Sequence, residues 1–144
     1  MKVTWLGQAG YLFESNAGTR IMIDPYLSDR LRELNGENFH REVPIKEEYL
    51  DMQLDALVLT HCHADHTDPG TLERLLKNKQ PMCVLAPLNT WRDIRGTYGG
   101  GHNYIQFDRG IQWTLGDVTL KAVFAAHTDE RAIGVIIEAD DTVI

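Results

Sequence analysis

The chain has 144 residues, with 14 lysines and arginines against 21 aspartates and glutamates, for a net charge of −7. That length supports one domain with a real core, and a hydrophobic fraction of 43% is ordinary for a globular protein. The acidic balance argues against a nucleic-acid surface, and no apolar run approaches the roughly eighteen residues a membrane span needs.

The amino-terminal residues Met1-Lys2-Val3 enter a strand directly instead of forming a signal segment, so the expected location is cytoplasmic. Val3 to Leu6 reads as that strand, and Gly7-Gln8-Ala9-Gly10 as a tight loop. No helix follows these glycines, so they are a turn and not a phosphate-binding fingerprint. Tyr11 to Glu14 and Thr19 to Ile23 are two further strands joined at Asn16-Ala17-Gly18. Asp24 ends the second of them just before Pro25, where an aspartate commonly caps a turn. Leu27 to Gln53 is charged, broken by Gly36 and Pro44, and carries a weak helical hint at Leu27, Leu31 and Leu34. Segments of this kind often rim a pocket. His40, Arg41 and Lys46 in it read as solvated surface, or as contacts for an anionic substrate.

Ala56-Leu57-Val58-Leu59 is a continuous apolar run, consistent with a strand buried on both faces. It delivers the chain to Thr60-His61-Cys62-His63-Ala64-Asp65-His66-Thr67-Asp68, where three of the six histidines and two carboxylates fall within nine residues. Imidazole nitrogen and carboxylate oxygen suit zinc, manganese and iron. A helix would bring ligands together at i and i+4. Here His61 and His63 are two apart, on one side of extended chain, and adjacent Asp65 and His66 point differently and can serve a second metal. Cys62, between the two histidines, points the other way. Asp68-Pro69 reads as an N-cap with proline at the first helical position. Leu72, Leu75 and Leu76 follow at helical spacing, and Lys77 and Lys79 suit the negative end of the helix dipole. The expected order is strand, ligand loop, helix.

Met82 to Ala86 is another buried strand, with Cys83 a small core residue, and a structural disulfide is not expected in a cytoplasmic chain. Pro87 to Arg95 reads as a short helix. Gly96 and Gly99-Gly100-Gly101 then make a linker or a mobile flap, with His102 on the surface. Tyr104 to Phe107 and Ile111 to Leu115 continue as strands, and Leu115-Gly116-Asp117-Val118 suits a tight hairpin. Val118 to Ala126 is a strand ending at His127, which repeats the geometry of the first cluster. Ile133 to Ala139 follows, and after the Asp140-Asp141 turn Thr142 to Ile144 begins another strand, an exposed edge that would favour pairing with a second copy.

The stretch Thr60-His61-Cys62-His63-Ala64-Asp65-His66 resembles the signature of the metallo-β-lactamase fold hydrolases. Val3-Thr4-Trp5-Leu6-Gly7-Gln8-Ala9-Gly10 with Ile23-Asp24-Pro25 looks like the branch that contains L-ascorbate-6-phosphate lactonase. The resemblance covers essentially all of the chain. It implies an α/β fold, a mixed sheet with helices on its outer face, of which residues 1–144 look like the first of two similar halves. It also implies that His61, His63 and His127 share one metal, that Asp65 and His66 belong to a second, and that Asp24 supports the histidine loop from behind.

The implied activity is hydrolysis by a metal-activated water, with Asp65 orienting the water and taking its proton. The substrate expected is a small molecule, such as an anionic sugar-phosphate lactone. Two alternatives stand beside it: a phosphoesterase or nuclease of the same fold, and a metal-binding half-domain that needs a second half or partner.

Overall fold

The structure, a computed structural model, describes residues 1–77 and 80–144. Lys79, expected at the end of the ligand helix, lies outside the described residues. The elements run β1 (Lys2–Gly7), β2 (Gly10–Glu14), β3 (Arg20–Ile23), α1 (Arg30–Asn35), a 3-10 turn (Glu37–Phe39), α2 (Glu47–Asp51), β4 (Ala56–Val58), α3 (Pro69–Leu76), β5 (Cys83–Ala86), α4 (Leu88–Tyr98) and β6 (Asn103–Gln106). They continue with β7 (Gln112–Leu115), β8 (Val118–Phe124), β9 (Ile133–Ala139) and β10 (Thr142–Val143).

Two sheets form. The first has the order β1-β2-β3-β4-β5-β6 and the second β10-β9-β8-β7. The first begins as an antiparallel meander and becomes parallel from β3 to β6. The second is antiparallel throughout. Because alternate side chains of a strand face opposite ways, each interior strand supplies two cores. Leu57 on β4 packs with Leu12, Met22 and Val84 beneath the helices, where Leu50, Leu72, Leu75, Leu76 and Ile94 meet them. Its neighbours Ala56 and Val58 face the second sheet with Ile21, Ile23 and Leu85, against Leu120, Ala122, Ile133 and Ile137. The continuous apolar run at 56–59 thus reflects a layer covered on both sides. The α/β class, with a mixed sheet and helices on one face, is as expected.

Several boundaries differ from expectation. β8 stops at Phe124, two residues short of Ala126, and the chain is irregular through His127. α4 runs on to Tyr98 and encloses Gly96, so only Gly99 onward forms a loop. Trp91 and Ile94 supply an apolar side that outweighs one internal glycine. The irregular segment holds two short helices and the 3-10 turn. His102 is not free surface: its Nε2 lies 2.7 Å from the Leu76 carbonyl, which pins the glycine loop to the end of α3. Cys83 is half-buried at the start of β5 and packs at the margin of the core that faces the second sheet.

The parallel register decides where a site can lie. The carboxyl ends of β1, β3, β4, β5 and β6 all face one end of the molecule. The Gly7–Gly10 turn, Asp24 and the histidine loop therefore share that end, where open α/β sheets commonly bind ligands.

Candidate metal centre

β4 ends at Val58, and the chain from Thr60 to Asp68 crosses the top of the sheet. Two backbone bonds onto the His63 carbonyl, from His66 N–H at 2.9 Å and Thr67 N–H at 2.7 Å, close this segment into a turn. The turn folds His66 back towards His61, with ring centroids 4.0 Å apart. The Thr67 hydroxyl donates to the His61 carbonyl at 2.6 Å and locks the arrangement. Asp68 then caps α3, accepting from the amides of Gly70 and Thr71, so the loop has a fixed exit as well as a fixed entry.

The β8–β9 connection brings in His127. Ile133 N–H donates to the Thr60 carbonyl at 3.1 Å, joining the start of β9 to the ligand loop. Asp129 adds a second tie, accepting from the Cys62 amide at 3.3 Å, while its own N–H donates to His127 Nδ1 at 3.0 Å. The His127 ring ends 4.2 Å from that of His61 and 4.9 Å from that of His63, centroid to centroid. His61, His63 and His127 each offer a ring nitrogen, and these atoms all lie within 4.8 Å of one another.

Asp24 lies beneath this cluster, 3% exposed. Its Oδ1 accepts from Thr60 N–H at 2.7 Å. Its Oδ2 takes the Thr60 hydroxyl at 2.5 Å and Nδ1 of His66 at 2.8 Å. Since Thr60 gives its proton to Asp24, its oxygen accepts from His61 Nδ1 at 2.9 Å. One carboxylate thereby puts the proton on Nδ1 of both rings and leaves each Nε2 with a lone pair. Nε2 of His61 is buried and has no hydrogen-bond partner among the described residues. An unpaired buried nitrogen of this kind is costly unless something else binds it. The residues present therefore fit a cation, with imidazole donors that suit zinc, manganese or iron.

The electrostatics of His61 agree. Burial, helped by His66 and His127 nearby, pushes His61 down to about 4, so its ring is neutral near pH 7 and ready to coordinate without losing a proton. For His66, burial pulls downward, but the bond to Asp24 and the nearby Asp65 hold it above its ordinary value.

Asp24, His61 and His66 form a second group of closely spaced donor atoms. Both oxygens of Asp24 are already engaged, so it serves better as support than as a ligand. Asp65 is not drawn into either group. It is half-exposed, with Oδ2 at 3.5 Å from Nε2 of His66. Cys62 is exposed. Asp129 and Thr60 are the positioning groups that sequence reasoning missed. Thr60 directly precedes His61, and its hydroxyl is the available signal. Asp129 had none beyond its closeness to His127.

A model of the beta-lactamase superfamily domain matches residues 19–144. The chain belongs to the beta-lactamase superfamily. Within that superfamily it is 30% identical to a metal-dependent hydrolase of Staphylococcus carnosus, an alignment that takes in 100% of this chain and 57% of the relative. Igni18, a metallo hydrolase from the archaeon Ignicoccus hospitalis, superposes with a TM-score of 0.69 at 20% identity, covering 99% of this chain and 57% of its own. CmlA, a diiron β-hydroxylase from Streptomyces venezuelae, gives the same TM-score at 20% identity, over 98% of this chain and 28% of its own. These likenesses establish the metallo-β-lactamase fold. The chain spans about half the length of the curated relatives it matches.

Proposed function

We propose that the chain carries the metal centre of a hydrolase that attacks its substrate with a metal-activated water. The observation that supports this most directly is the convergence of His61, His63 and His127 around the unpartnered Nε2 of His61. In this reading those three imidazoles hold one divalent ion, and His66 with Asp65 contributes to a second. Zinc, manganese and iron all suit the donors. Such an ion supplies Lewis acidity and acidifies bound water to a pKa of roughly 7.

The protein's own groups do the rest. Asp65, half-exposed beside His66, takes the proton released as water attacks, the task of a placed carboxylate. Asp24 keeps His66 and, through Thr60, His61 in the tautomer that presents Nε2. His127 arrives on a connection anchored by Asp129. For a lactone, attack at the ring carbonyl and collapse of the adduct open the ring to a hydroxy acid, with the ring oxygen leaving as the new hydroxyl.

The finer reading is a lactonase acting on a small anionic lactone, a sugar phosphate such as L-ascorbate 6-phosphate. Its support is the resemblance of Val3–Gly10 and Ile23–Pro25 to that branch. A phosphoesterase reading is separated from it by assaying hydrolysis of a lactone and of a phosphodiester side by side. We read residues 1–144 as the first half of the fold and the protein as cytoplasmic. Coverage of about half of each relative supports the first of these readings. Among the described residues no helix is long and apolar enough to cross a membrane.

The deciding experiment is metal analysis after exchange into zinc or manganese buffer, paired with a lactone-opening assay. The reading expects at least one ion per chain, lost in His61→Ala. A chain that binds no metal at micromolar concentration overturns it.

A further inference from the structure

We infer that the cavity between the Gly7–Gly10 turn and residues 38–43 is a binding site for a small oxyanion attached to an apolar or ring-shaped body. The cavity measures about 460 Å³ and is bordered by Trp5, Gln8, Leu31, Phe39, His40 and Arg41, among others. That size accommodates a compact organic molecule. Two of its walls are aromatic and open to solvent, Trp5 at 55% and Phe39 at 50% exposure. Exposed aromatics gathered at a cavity are a usual mark of ligand contact. Trp5 is held in place, its indole N–H donating to the Gln8 carbonyl at 2.9 Å.

Two charged residues border this cavity, the exposed Glu42 and the half-buried Arg41; the site rests on Arg41. Its guanidinium donates to three backbone carbonyls: Leu6 at 2.7 Å, Val43 at 3.2 Å and Tyr26. It also lies over the Tyr26 ring, 5.3 Å from the centroid. Carbonyl dipoles hold the group in place but carry no net charge. Among the described residues no carboxylate forms an ion pair with Arg41; Glu42 borders the same cavity but is exposed. Of the five guanidinium N–H groups three are used, so two remain for an oxyanion. The Asp29 carboxylate is nearby, accepting from the Arg41 backbone amide at 2.9 Å, but it makes no ion pair with the guanidinium. A half-buried, rigidly held cation without a direct ion pair, beside aromatic surface, suits an anion that carries an apolar body.

The cavity also has a fixed relation to the metal centre. Arg41 joins the ends of β1 and β3, and Tyr26 lies two residues beyond Asp24. A side chain at Gly10 would meet the Asp24 carbonyl at 3.1 Å, so the turn that walls the cavity rests on the residue that supports His66. β1 and β4 are three strand spacings apart, roughly 14 Å. A substrate of about that length can place its charged end at Arg41 and its reacting bond at the histidines. This last assignment rests on the hydrolase reading; binding in the cavity does not.

The test uses the whole chain held metal-free with a chelator, and phenylphosphonate as the compound. The Trp5 indole N–H resonance, identified by its loss in Trp5→Phe, is followed by NMR. Phenylphosphonate is expected to shift it saturably, with benzoate doing the same if either oxyanion is accepted. Benzyl alcohol and inorganic phosphate should each bind about ten-fold more weakly, and Phe39→Ala should weaken phenylphosphonate about ten-fold. An unmoved indole signal at millimolar compound overturns the site. So does equal binding by Phe39→Ala, equal binding by phosphate alone, or a shift that appears only after metal is added. If the shift is seen and the chain binds no metal, the cavity stands and the hydrolase reading falls.

Discussion

Asp24 and His66, 42 positions apart in the chain, meet at 2.8 Å between Oδ2 and Nδ1. The aspartate adopts a left-handed backbone conformation, φ 44°, to make this contact. Few residues other than glycine tolerate that region, and aspartate is one of the exceptions. The conformation turns the end of β3 beneath the histidine loop, where one carboxylate serves Thr60 twice and His66 once. Asp24→Asn keeps the shape but places an amide NH2 against one of these donors. It should lower metal affinity roughly 10–100-fold with the fold intact. Competition against a coloured chelator measures the affinity, and circular dichroism checks the fold. Unchanged affinity would remove Asp24 from its supporting role.

Thr60 passes the influence of Asp24 to His61. Thr60→Val retains the shape and deletes the hydroxyl, leaving His61 Nδ1 without its acceptor while Asp24 loses one of its three donors and keeps the Thr60 amide and His66. The expected stability loss is about 1–3 kcal/mol in urea unfolding, with weaker metal binding. Thr60→Ser should recover most of both. If serine fares no better than valine, the methyl packing matters and the hydroxyl relay does not.

Cys62 lies between His61 and His63 in the chain, but its exposed sulfur joins neither group of closely spaced donor atoms, whereas His127 has a ring nitrogen within 4.8 Å of those of His61 and His63. His127→Ala should therefore abolish tight binding of the first ion, while Cys62→Ser leaves it within about two-fold. Both are read by metal content after gel filtration. The bound ion should also stabilise the fold, by about 2.7 kcal/mol at a free concentration 100 times its Kd. A chelator should accordingly lower the Tm of the parent chain and leave that of His127→Ala unmoved.

The exit of the ligand loop is a separate test of the scaffold. Asp68, 1% exposed, caps α3 and also accepts from the Thr71 hydroxyl at 2.5 Å. That hydroxyl in turn accepts from the Leu27 amide at 2.7 Å, tying the segment after β3 to the helix. Asp68→Ala should cost about 2 kcal/mol, at the upper end for a helix cap, because it also strands the Thr71 hydroxyl. Asp68→Asn should cost less. Equal losses would mean that the charge, and not the acceptor, sets the cap.

What could be read along the chain was whatever short-range chemistry dictates. The apolar run Ala56–Leu59, the N-cap and proline at Asp68–Pro69, and the two-residue spacing of His61 and His63 each follow from neighbours within a few positions. The superfamily signature lies in that same local window. Helix ends were less legible, since α4 continues through Gly96 on packing that no local rule supplies. The meeting of His127 with His61 was proposed from resemblance, yet spacing alone carries no such information across 66 residues. Two sheets stacked through Val58, Leu120 and Ile133 bring them together, with one backbone bond from Ile133 to Thr60 setting the position. Arg41 shows the same division in reverse: by composition it is a surface cation in an irregular segment. Only the closing of residues 38–43 over the ends of β1 and β3 places its guanidinium against carbonyls and lines a cavity with it. A residue's type and neighbours set what it can donate or accept, but its partners depend on which distant strands the buried surface forces side by side.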